Sequence, residues 1–175
     1  GRYNSHFRLI LECNEMPSKK TAVKPEAKSL YKVKLSKLHG NGVFAARKIA
    51  EDTQIIEYVG KRTSWKKALK AEPADPDNPY HTFLFDLGDG RYVLDAAVGG
   101  NDARWINHGC KPNCQAVDED NRIFIYALRD IKRGEELLYD YSLILEERHT
   151  KKMKKNYECR CGASKCRGTM LGKKH

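Results

Sequence analysis

The chain has 175 residues, of which 40% are hydrophobic and 32% charged, and it carries a formal net charge of +10. This size suits one domain with a short appendage, and the hydrophobic fraction is enough for one core. No run approaches the roughly 18 apolar residues that a membrane-spanning helix needs, so the sequence offers no such helix and we expect no membrane partner.

The first half of the chain predicts an arm, two strands and a short helix. Residues 1–29 are polar, with scattered Lys and Pro, and predict a loose N-terminal arm. Residues 31–35 alternate apolar and basic side chains, as a half-buried strand does, and residues 54–60 predict a second strand that a glycine ends. Ser64 is a suitable N-cap for a helix that runs to about residue 72, and three prolines within residues 73–79 then predict a loop.

The second half predicts more strands than helices. Residues 81–87 and 91–95 flank a Gly-Asp-Gly turn and predict a β-hairpin, and residues 122–128 predict a further strand. Residues 145–155 are charged and compatible with a helix. Many short strands, glycine-rich turns and only short helices indicate a mainly β domain.

The turn after the first strand, His39-Gly40-Asn41-Gly42, is the first candidate site. A Gly-x-Gly pair after a strand lets the backbone approach a ligand closely. Alone, such a pair is more often a plain turn. It is not a dinucleotide fingerprint, because neither a third glycine nor a helix follows it.

Two further segments concentrate residues that carry chemistry. Residues 107–114 read Asn-His-Gly-Cys-Lys-Pro-Asn-Cys, and residues 134–141 end in Tyr139-Asp140-Tyr141. Two tyrosines at i and i+2 of an extended segment point to the same side. Either they are paired aromatic residues in a core, or their phenol oxygens line a channel.

The cysteines predict metal binding rather than disulfide bonds. Three of the six, Cys159, Cys161 and Cys166, lie within eight residues, and a chain of this length does not need disulfides to fold. A tetrahedral structural zinc takes four sulfur or nitrogen ligands, so the fourth ligand must be remote in sequence. Because this segment is short and polar, we expect it not to fold without metal. Cys13 is expected to be a free thiol.

The positive charge is concentrated at the C-terminus. Residues 148–175 hold ten of the 33 Lys and Arg residues but one acid, Glu158. Such an excess favours an acidic partner surface, such as nucleic acid or a histone–DNA particle. A solvated helix face followed by a basic tail accounts for the same charges, so both interpretations stay open.

Taken together and in this order, these segments resemble the signature motifs of the SET-domain lysine methyltransferases over roughly residues 30–170. The resemblance implies a SET domain at residues 30–144, made of small curved sheets with a pseudoknot in which the later chain threads the Asn-His segment. It implies a basic post-SET segment at residues 145–175. It also implies S-adenosylmethionine as the methyl donor. Because only Cys13 lies upstream of these motifs, the resemblance is not expected to extend to the cysteine-rich pre-SET module of some relatives.

The resemblance assigns roles to individual residues. The residues assigned to donor binding are His39, Gly40, Asn41, Phe83, Arg104, Asn107 and His108. Tyr141 matches the catalytic tyrosine, and Tyr139 stands where the family carries Phe or Tyr. A tyrosine at that position narrows the lysine channel in the family, so we expect mainly mono- and some dimethylation.

The resemblance also implies one structural zinc ion that holds the post-SET segment over the active site. The implied ligands are Cys110, Cys159, Cys161 and Cys166, with Cys114 as a competing fourth ligand that fits the register less well. One position departs from the family pattern, because Phe83 stands where many relatives have a tyrosine that lines the lysine site. Tyr80 lies three residues earlier, but strand alternation would place it on the other face.

The expected function is therefore methyl transfer to a lysine in an extended peptide of a histone-like or other basic protein, with nucleic-acid contact through the basic C-terminus. The alternative is a catalytically weak zinc-containing module that binds chromatin or nucleic acid, and the intact Asn107, His108 and Tyr141 count against it. We expect a reducing, intracellular location: the nucleus or chromatin in a eukaryote, and otherwise the cytoplasm or a host cell to which the protein is delivered.

Overall fold

The computed structural model describes residues 29–71, 82–145 and 148–172. The predictions for the N-terminal arm, the proline-rich loop, Cys13 and Tyr80 fall outside these residues. The described residues form short strands in small sheets with few short helices, which confirms the predicted mainly β fold. None of the helices within these ranges is long and apolar enough to cross a membrane.

The elements follow one another with short connections. The strands are β1 (Tyr31–Leu35), β2 (Asn41–Ala45), β3 (Gln54–Tyr58), β4 (Lys61–Ser64), β5 (Leu84–Asp86), β6 (Tyr92–Asp95), β7 (Asn107–His108), β8 (Cys114–Glu119), β9 (Arg122–Ala127) and β10 (Leu138–Tyr139). The helices are α1 (Trp65–Ala68), the 3-10 helix η1 (Asp102–Trp105) and α2 (Lys151–Asn156). The predicted strands at residues 31–35, 54–60 and 122–128 and the predicted hairpin are confirmed, whereas β2, β4, β7, β8 and β10 were not predicted.

Both helices are shorter than the sequence predicts. Ser64 caps α1 as expected, since its Oγ accepts the Lys67 N–H at 3.4 Å, but α1 ends at Ala68. Helix α2 begins only after Thr150, whose hydroxyl accepts the Met153 N–H at 3.2 Å. Residue 145 and residues 148–150 are not helical.

The sheets are small and pack around one core. Strands β1 and β2 pair antiparallel, and two three-stranded sheets have the orders β3-β9-β8 and β4-β6-β5. Strand β9 shows why these residues form a strand: Ile123, Ile125 and Ala127 alternate along it, and all three are fully buried. The core therefore lies on one face of the β3-β9-β8 sheet, next to the segment that carries β7.

A parallel pair joins two segments that lie 31 residues apart in sequence. Leu138 of β10 pairs with Asn107 of β7, and Tyr139 pairs with His108. The buried Asn113 side chain reinforces this pair, because its Oδ1 accepts the Leu138 N–H at 2.8 Å. The pairing brings together the two segments that the predicted pseudoknot joins. The threading itself stays a prediction.

The C-terminal segment, residues 148–172, is attached by apolar packing as well as by its cysteines. Leu145, Tyr157 and Leu171 form a small buried cluster. Leu143 donates its N–H to the Met170 carbonyl at 3.1 Å and accepts the Gly172 N–H at 2.9 Å. These backbone bonds explain why residues near 145 are extended rather than helical. The apolar cluster adds packing to a segment that the sequence describes as short and polar.

Candidate active site and cysteine cluster

A cleft of about 330 Å³ lies between the β7–β10 pair and the C-terminal segment. From residues 29–145 it is lined by Leu38, His39, Tyr58, Thr82, Leu84, Arg104, Asn107, His108, Tyr139, Tyr141 and Leu143. From the C-terminal segment it is lined by Lys155, Asn156, Glu158, Cys159, Arg160, Cys161 and Met170. The cleft thus has two walls, which we call the core wall and the C-terminal wall.

Tyr141 lies at the centre of the core wall. Its ring centroid is 5.3 Å from the His108 ring, which it meets nearly edge-on, and 4.8 Å from the Tyr139 ring. Its hydroxyl donates to the Ile106 carbonyl at 2.7 Å. Because that bond uses the hydroxyl hydrogen, the phenol oxygen presents lone pairs to whatever occupies the cleft.

The phenols of the core wall are neutral at physiological pH. Burial raises the pKa of Tyr58, Tyr139 and Tyr141 above the ordinary tyrosine value. For Tyr141 the nearby Glu136 carboxylate raises the pKa further. These hydroxyls therefore orient a ligand by hydrogen bonds and dipoles, and they do not act as phenolate bases.

His108 is a buried, neutral acceptor. Burial lowers its pKa to about 4, and the Arg167 charge lowers it too, whereas the Asp140 charge opposes the shift. Its Nδ1 accepts the Tyr141 N–H at 3.1 Å, so the imidazole proton resides on Nε2, which lies 3.4 Å from the Cys110 Sγ. The Asp140 carboxylate, 3.5 Å from Nδ1, therefore faces a neutral ring and does not form an ion pair with it.

Asn107 holds the loop after β1 in place. Its amide nitrogen donates to the carbonyls of His39 and Asn41, at 3.2 and 3.0 Å, and to the Glu136 carboxylate at 3.0 Å. The same carboxylate lies so close to Gly42 that a Cβ there would collide with it. Glycine at this position is thus needed for the close approach that the Gly-x-Gly pattern predicts.

The predicted donor-binding residues divide into two groups. His39, Arg104, Asn107 and His108 line the cleft, and Gly40 and Asn41 belong to the loop that Asn107 holds without lining the cleft themselves. Phe83 is not among the lining residues either, although Thr82 and Leu84 beside it are. The Phe83 ring, one residue before β5 begins, instead packs edge-on against Trp105, with 5.2 Å between centroids.

Tyr58 is a lining residue that sequence reasoning missed. It is buried, and its hydroxyl donates to the Phe83 carbonyl at 2.8 Å. The wall therefore has a tyrosine hydroxyl beside the position where Phe83 replaces the family's tyrosine. A register shift in the β3–β9 pairing between Gln54 and Ile56 disturbs the two-residue alternation, so alternation alone does not identify Tyr58. An aromatic residue at the end of an apolar strand was the available signal.

Four cysteines meet at the edge of the cleft. The sulfur atoms of Cys110, Cys159, Cys161 and Cys166 all lie within 4.8 Å of one another. The Cys110 sulfur is 3.6 Å from that of Cys159 and 3.9 Å from that of Cys166. Four thiolates at about 2.3 Å from a tetrahedral zinc ion lie roughly 3.8 Å apart, so the cluster fits zinc. Cys114, the competing ligand, is instead buried in the core on β8.

The backbone around this cluster suits thiolates. Each of the four sulfur atoms accepts a backbone N–H at 3.3–3.5 Å. The Arg167 N–H donates to Cys110 and the Cys161 N–H donates to Cys159. The Cys110 N–H donates to Cys161 and the Gly168 N–H donates to Cys166. Although burial opposes the shift, such bonds from Ala163 and Cys110 lower the pKa of Cys161 to about 7. Burial raises the pKa of Cys110 and Cys159. Four clustered thiolates repel one another unless a cation binds them, and four sulfur ligands leave no open position for catalysis.

An ion pair links the C-terminal segment to the core wall. The Arg167 guanidinium donates to both oxygens of Asp140, at 2.5 and 2.7 Å. Although partial burial opposes it, this guanidinium lowers the pKa of the Asp140 carboxyl. Asp140 therefore carries its charge at neutral pH, between the two tyrosines of the core wall.

The C-terminal segment also presents unpaired positive charge. Of its eight Lys and Arg residues, Arg160 pairs with Glu158 and Arg167 pairs with Asp140. The other six form no ion pair with any residue in the described ranges: Arg148, Lys151, Lys152, Lys154, Lys155 and Lys165. Four of these lie on α2, which buries no residue of its own.

Comparison with known proteins agrees with the motifs and the cleft. Residues 40–142, more than half of the chain, match the SET domain family. The chain therefore belongs to the SET domain family.

Several relatives are similar over most of this chain. One is histone-lysine N-methyltransferase set-2 of Caenorhabditis elegans, 38% identical over 146 residues, which cover 81% of this chain and 9% of that protein. Another is histone-lysine N-methyltransferase trr of Drosophila melanogaster, 41% identical over 139 residues, or 77% of this chain and 6% of that protein. A third, from Chaetomium globosum, is named histone-lysine N-methyltransferase, H3 lysine-4 specific; it is 36% identical over 164 residues, or 91% of this chain and 14% of that protein. The chain thus spans only a small part of each of these relatives.

Proposed function

We propose that this chain is a protein-lysine methyltransferase that transfers a methyl group from S-adenosylmethionine to a lysine ε-amine. The observation that carries the proposal is the core wall, where the neutral Tyr141 and Tyr139 phenols and the neutral His108 imidazole meet in one cleft. The family match and the names of the relatives support the same activity.

The donor site has one feature that fits an anionic group. The Arg104 Nη1 donates to the Ala96 carbonyl at 3.1 Å, but its buried Nε has no hydrogen-bond partner within the described ranges. Arg104 lines the cleft, and its positive guanidinium would attract an anionic group such as the carboxylate of the methyl donor. We therefore assign donor binding to Arg104 together with His39, Asn107 and His108, and we keep Gly40, Asn41 and Phe83 as secondary candidates.

The chemistry requires a neutral lysine amine. A free lysine has a pKa of ~10.4, so at pH 7.4 about one molecule in a thousand is neutral, which corresponds to about 4 kcal/mol. Apolar side chains and neutral phenols in the cleft disfavour the ammonium form, which lowers this cost. When bound, S-adenosylmethionine supplies an electrophilic methyl group and a nearby positive charge. Tyr141 orients the amine through its oxygen lone pairs, and the closed cleft limits the positions that the amine can adopt.

Tyr139 sets the space around the amine. It is buried, and its ring lies 4.8 Å from the Tyr141 ring and 6.4 Å from the Phe85 ring. A hydroxyl at this position occupies volume that a methylated amine needs. We therefore propose mainly mono- and some dimethylation.

We propose a histone or a similarly basic protein as the substrate, because the relatives are named as histone-lysine methyltransferases. We propose a location that matches this substrate: a reducing compartment, which in a eukaryote is the nucleus or chromatin. The alternative of a catalytically weak binding module is not favoured, since His108 and Tyr141 both line the cleft and the relatives are named as enzymes. We further propose the division into a SET domain at residues 30–144 and a zinc-binding post-SET segment at residues 145–175.

The decisive experiment is methyl transfer from radiolabelled S-adenosylmethionine to a panel of purified histones and other basic proteins. The zinc-loaded chain is expected to label a lysine in at least one histone, and Tyr141→Phe is expected to label none. Donor binding by calorimetry is measured in parallel. If the chain binds the donor and labels no protein, or if Tyr141→Phe labels as well as the unchanged chain, the proposal is wrong.

We also propose that α2 contacts nucleic acid beside the substrate. A chain that neutralises several phosphates loses affinity steeply as salt rises, with a slope of about −0.9 per phosphate for duplex DNA. The triple variant Lys151→Glu/Lys152→Glu/Lys154→Glu is expected to weaken DNA and nucleosome binding and to reduce that slope. Methylation of a free histone peptide should be unchanged, because these three residues do not line the cleft.

The matched control is Lys32→Glu/Lys132→Glu/Arg133→Glu, which changes the net charge equally at exposed positions outside the C-terminal segment. Equal loss of DNA affinity in both triple variants would indicate a general charge effect. That result would contradict a contact through α2.

A further inference from the structure

The ion pair between Arg167 and Asp140 joins the C-terminal segment to the core wall, next to the two tyrosines of the cleft. Arg167 directly follows the zinc-site cysteine Cys166, and Asp140 stands between Tyr139 and Tyr141. The pair is bidentate, and the two side chains are only 29% and 27% exposed. It is therefore better shielded from solvent than the other arginine pairs of the described residues, whose arginines are 48–72% exposed.

Asp140 lies close to the Nδ1 of His108, which has to keep accepting its hydrogen bond from the Tyr141 backbone. Its Oδ1 lies 3.5 Å from the Nδ1 of His108, and that nitrogen accepts the Tyr141 N–H at 3.1 Å. A carboxylate and an imidazole lone pair at this distance repel each other. The Arg167 guanidinium compensates the carboxylate charge, so the imidazole can remain beside Asp140 and keep its bond to the Tyr141 backbone.

Arg167 contacts the cysteine cluster as well. Its backbone N–H donates to the Cys110 sulfur at 3.4 Å, and the Nε2 of His108 lies 3.4 Å from the same sulfur. The contacts thus form a closed ring that runs from Cys110 through His108, the Tyr141 backbone and Asp140 to Arg167 and back to Cys110. A substitution of Arg167 is therefore expected to affect the contacts at Asp140 and at Cys110.

We propose that Arg167 is a positioning residue for Tyr141. Through Asp140 it fixes the backbone of Tyr141 relative to His108, while it holds the C-terminal segment against the core wall. Arg167 does not line the cleft, so it acts through Asp140 and does not touch the reacting atoms. This inference rests on the proposed methyltransferase function, and it adds a residue that links the zinc-binding segment to the catalytic tyrosine.

The test uses three variants of the zinc-loaded chain: Arg167→Gln, Asp140→Asn and the double variant. Arg167→Gln leaves the carboxylate uncompensated and is expected to lower kcat at least ten-fold, with a smaller change in KM for the substrate. The double variant removes the uncompensated carboxylate as well, so it is expected to recover part of the activity that Arg167→Gln loses. Zinc content is expected to stay at one ion per chain in all three.

The matched control is Arg122→Gln. Arg122 forms an equally bidentate pair with Glu57, at 2.9 and 2.6 Å, on the β3-β9-β8 sheet and outside the cleft lining. Its loss should leave kcat within about two-fold. Two results would overturn the inference: a double variant no more active than Arg167→Gln, or a loss of activity that follows loss of zinc.

A second measurement does not depend on activity. Hydrogen exchange of residues 137–145, which include the Tyr141 amide, is expected to accelerate in Arg167→Gln and to slow again in the double variant. If the unchanged chain methylates nothing, the proposed function is wrong, and this exchange pattern still tests the positioning role. Unchanged exchange in Arg167→Gln would refute the positioning role even if the enzyme is active.

Discussion

The two walls of the cleft are built differently. On the core wall, Tyr58, His108 and Tyr139 are 4–6% exposed, and Tyr58 and Tyr139 belong to the main core. On the C-terminal wall, α2 buries no residue, and the described segment depends on one three-residue apolar cluster, four cysteines and one bidentate ion pair. The core wall is therefore held mainly by packing, whereas the C-terminal wall depends largely on the cysteine cluster and on one charge pair.

This difference separates two tasks. The groups that would act on the amine are fixed by packing in the main core. The groups that would close the cleft lie on a segment that the cysteine cluster and one ion pair hold in addition to packing. Loss of the metal should therefore affect the C-terminal wall more than the core wall.

The largest expected effect comes from the core wall. Tyr141→Phe removes the hydroxyl that presents lone pairs to the cleft, and we expect kcat to fall by ~100-fold or more, as for loss of one preorganised polar group in other active sites. The Ile106 carbonyl loses its donor, so the free energy of unfolding should fall by about 1–3 kcal/mol. Steady-state kinetics and a thermal melt followed by circular dichroism check both values. Near-normal turnover would show that the core wall is not catalytic.

The pH dependence of kcat/KM tests whether the phenols of the core wall stay protonated and neutral. The substrate amine must lose a proton, so kcat/KM should rise by up to about 100-fold between pH 7 and pH 9. Burial raises the pKa of Tyr139 and Tyr141 above the ordinary value, so these phenols stay protonated over this range and cause no descending limb. A pH–rate profile at saturating zinc measures this. A decline below pH 9 with the fold intact would contradict neutral, protonated phenols.

Removal of the metal tests whether the C-terminal wall depends on zinc. Cys159→Ser should lose zinc, as measured by elemental analysis, and should expose the C-terminal segment to protease, while the circular dichroism of the core changes little. Donor affinity measured by calorimetry should fall by about ten-fold, a typical loss for weakened metal sites. Cys114→Ala is the matched control, because Cys114 is a buried cysteine outside the cluster, and it should retain zinc. Full zinc content in Cys159→Ser would contradict the assigned ligand set.

The smallest expected effect concerns the width of the channel. Tyr139→Phe removes one buried hydroxyl without changing the ring packing against Tyr141 and Phe85. The total rate should change by only a few-fold, but the product should shift from monomethyl- towards di- and trimethyllysine. Mass spectrometry of a methylated peptide measures this shift, with Tyr126→Phe, a half-buried tyrosine outside the cleft lining, as the control. An unchanged product distribution would show that Tyr139 does not limit the space around the amine.

Local patterns in the sequence predicted the parts of the fold that depend on neighbouring residues. The hairpin around residues 88–90 and the strand at residues 122–128 are such patterns, and both are confirmed. The two-residue strands β7 and β10 were missed because their pairing depends on tertiary contacts and leaves no periodic pattern. The position of Tyr58 was missed because a register shift in β3 hides it.

The site residues likewise divide into those that short motifs predict and those that only the fold brings together. Rare residues in short motifs predicted Tyr141, His108 and the cysteine cluster, because the chemistry of those side chains restricts the alternatives. The pair between Arg167 and Asp140 was not predicted, since 27 residues separate two charged residues in a chain that is 32% charged. Single charges at such a separation carry no signal of pairing until the fold brings them together.

The order of the cysteines along the chain has a consequence for protein synthesis. Cys110 leaves the ribosome well before the three other cysteines of its cluster, and the apolar contacts of the last segment end at Leu171. At roughly 5–20 residues per second, the 30 residues from Tyr141 to Leu171 take about 1.5–6 s to translate. In that interval the nascent chain has Tyr141 but lacks Arg167 and three of the four clustered cysteines, so the contacts that position Tyr141 close only after the C-terminal segment has been made.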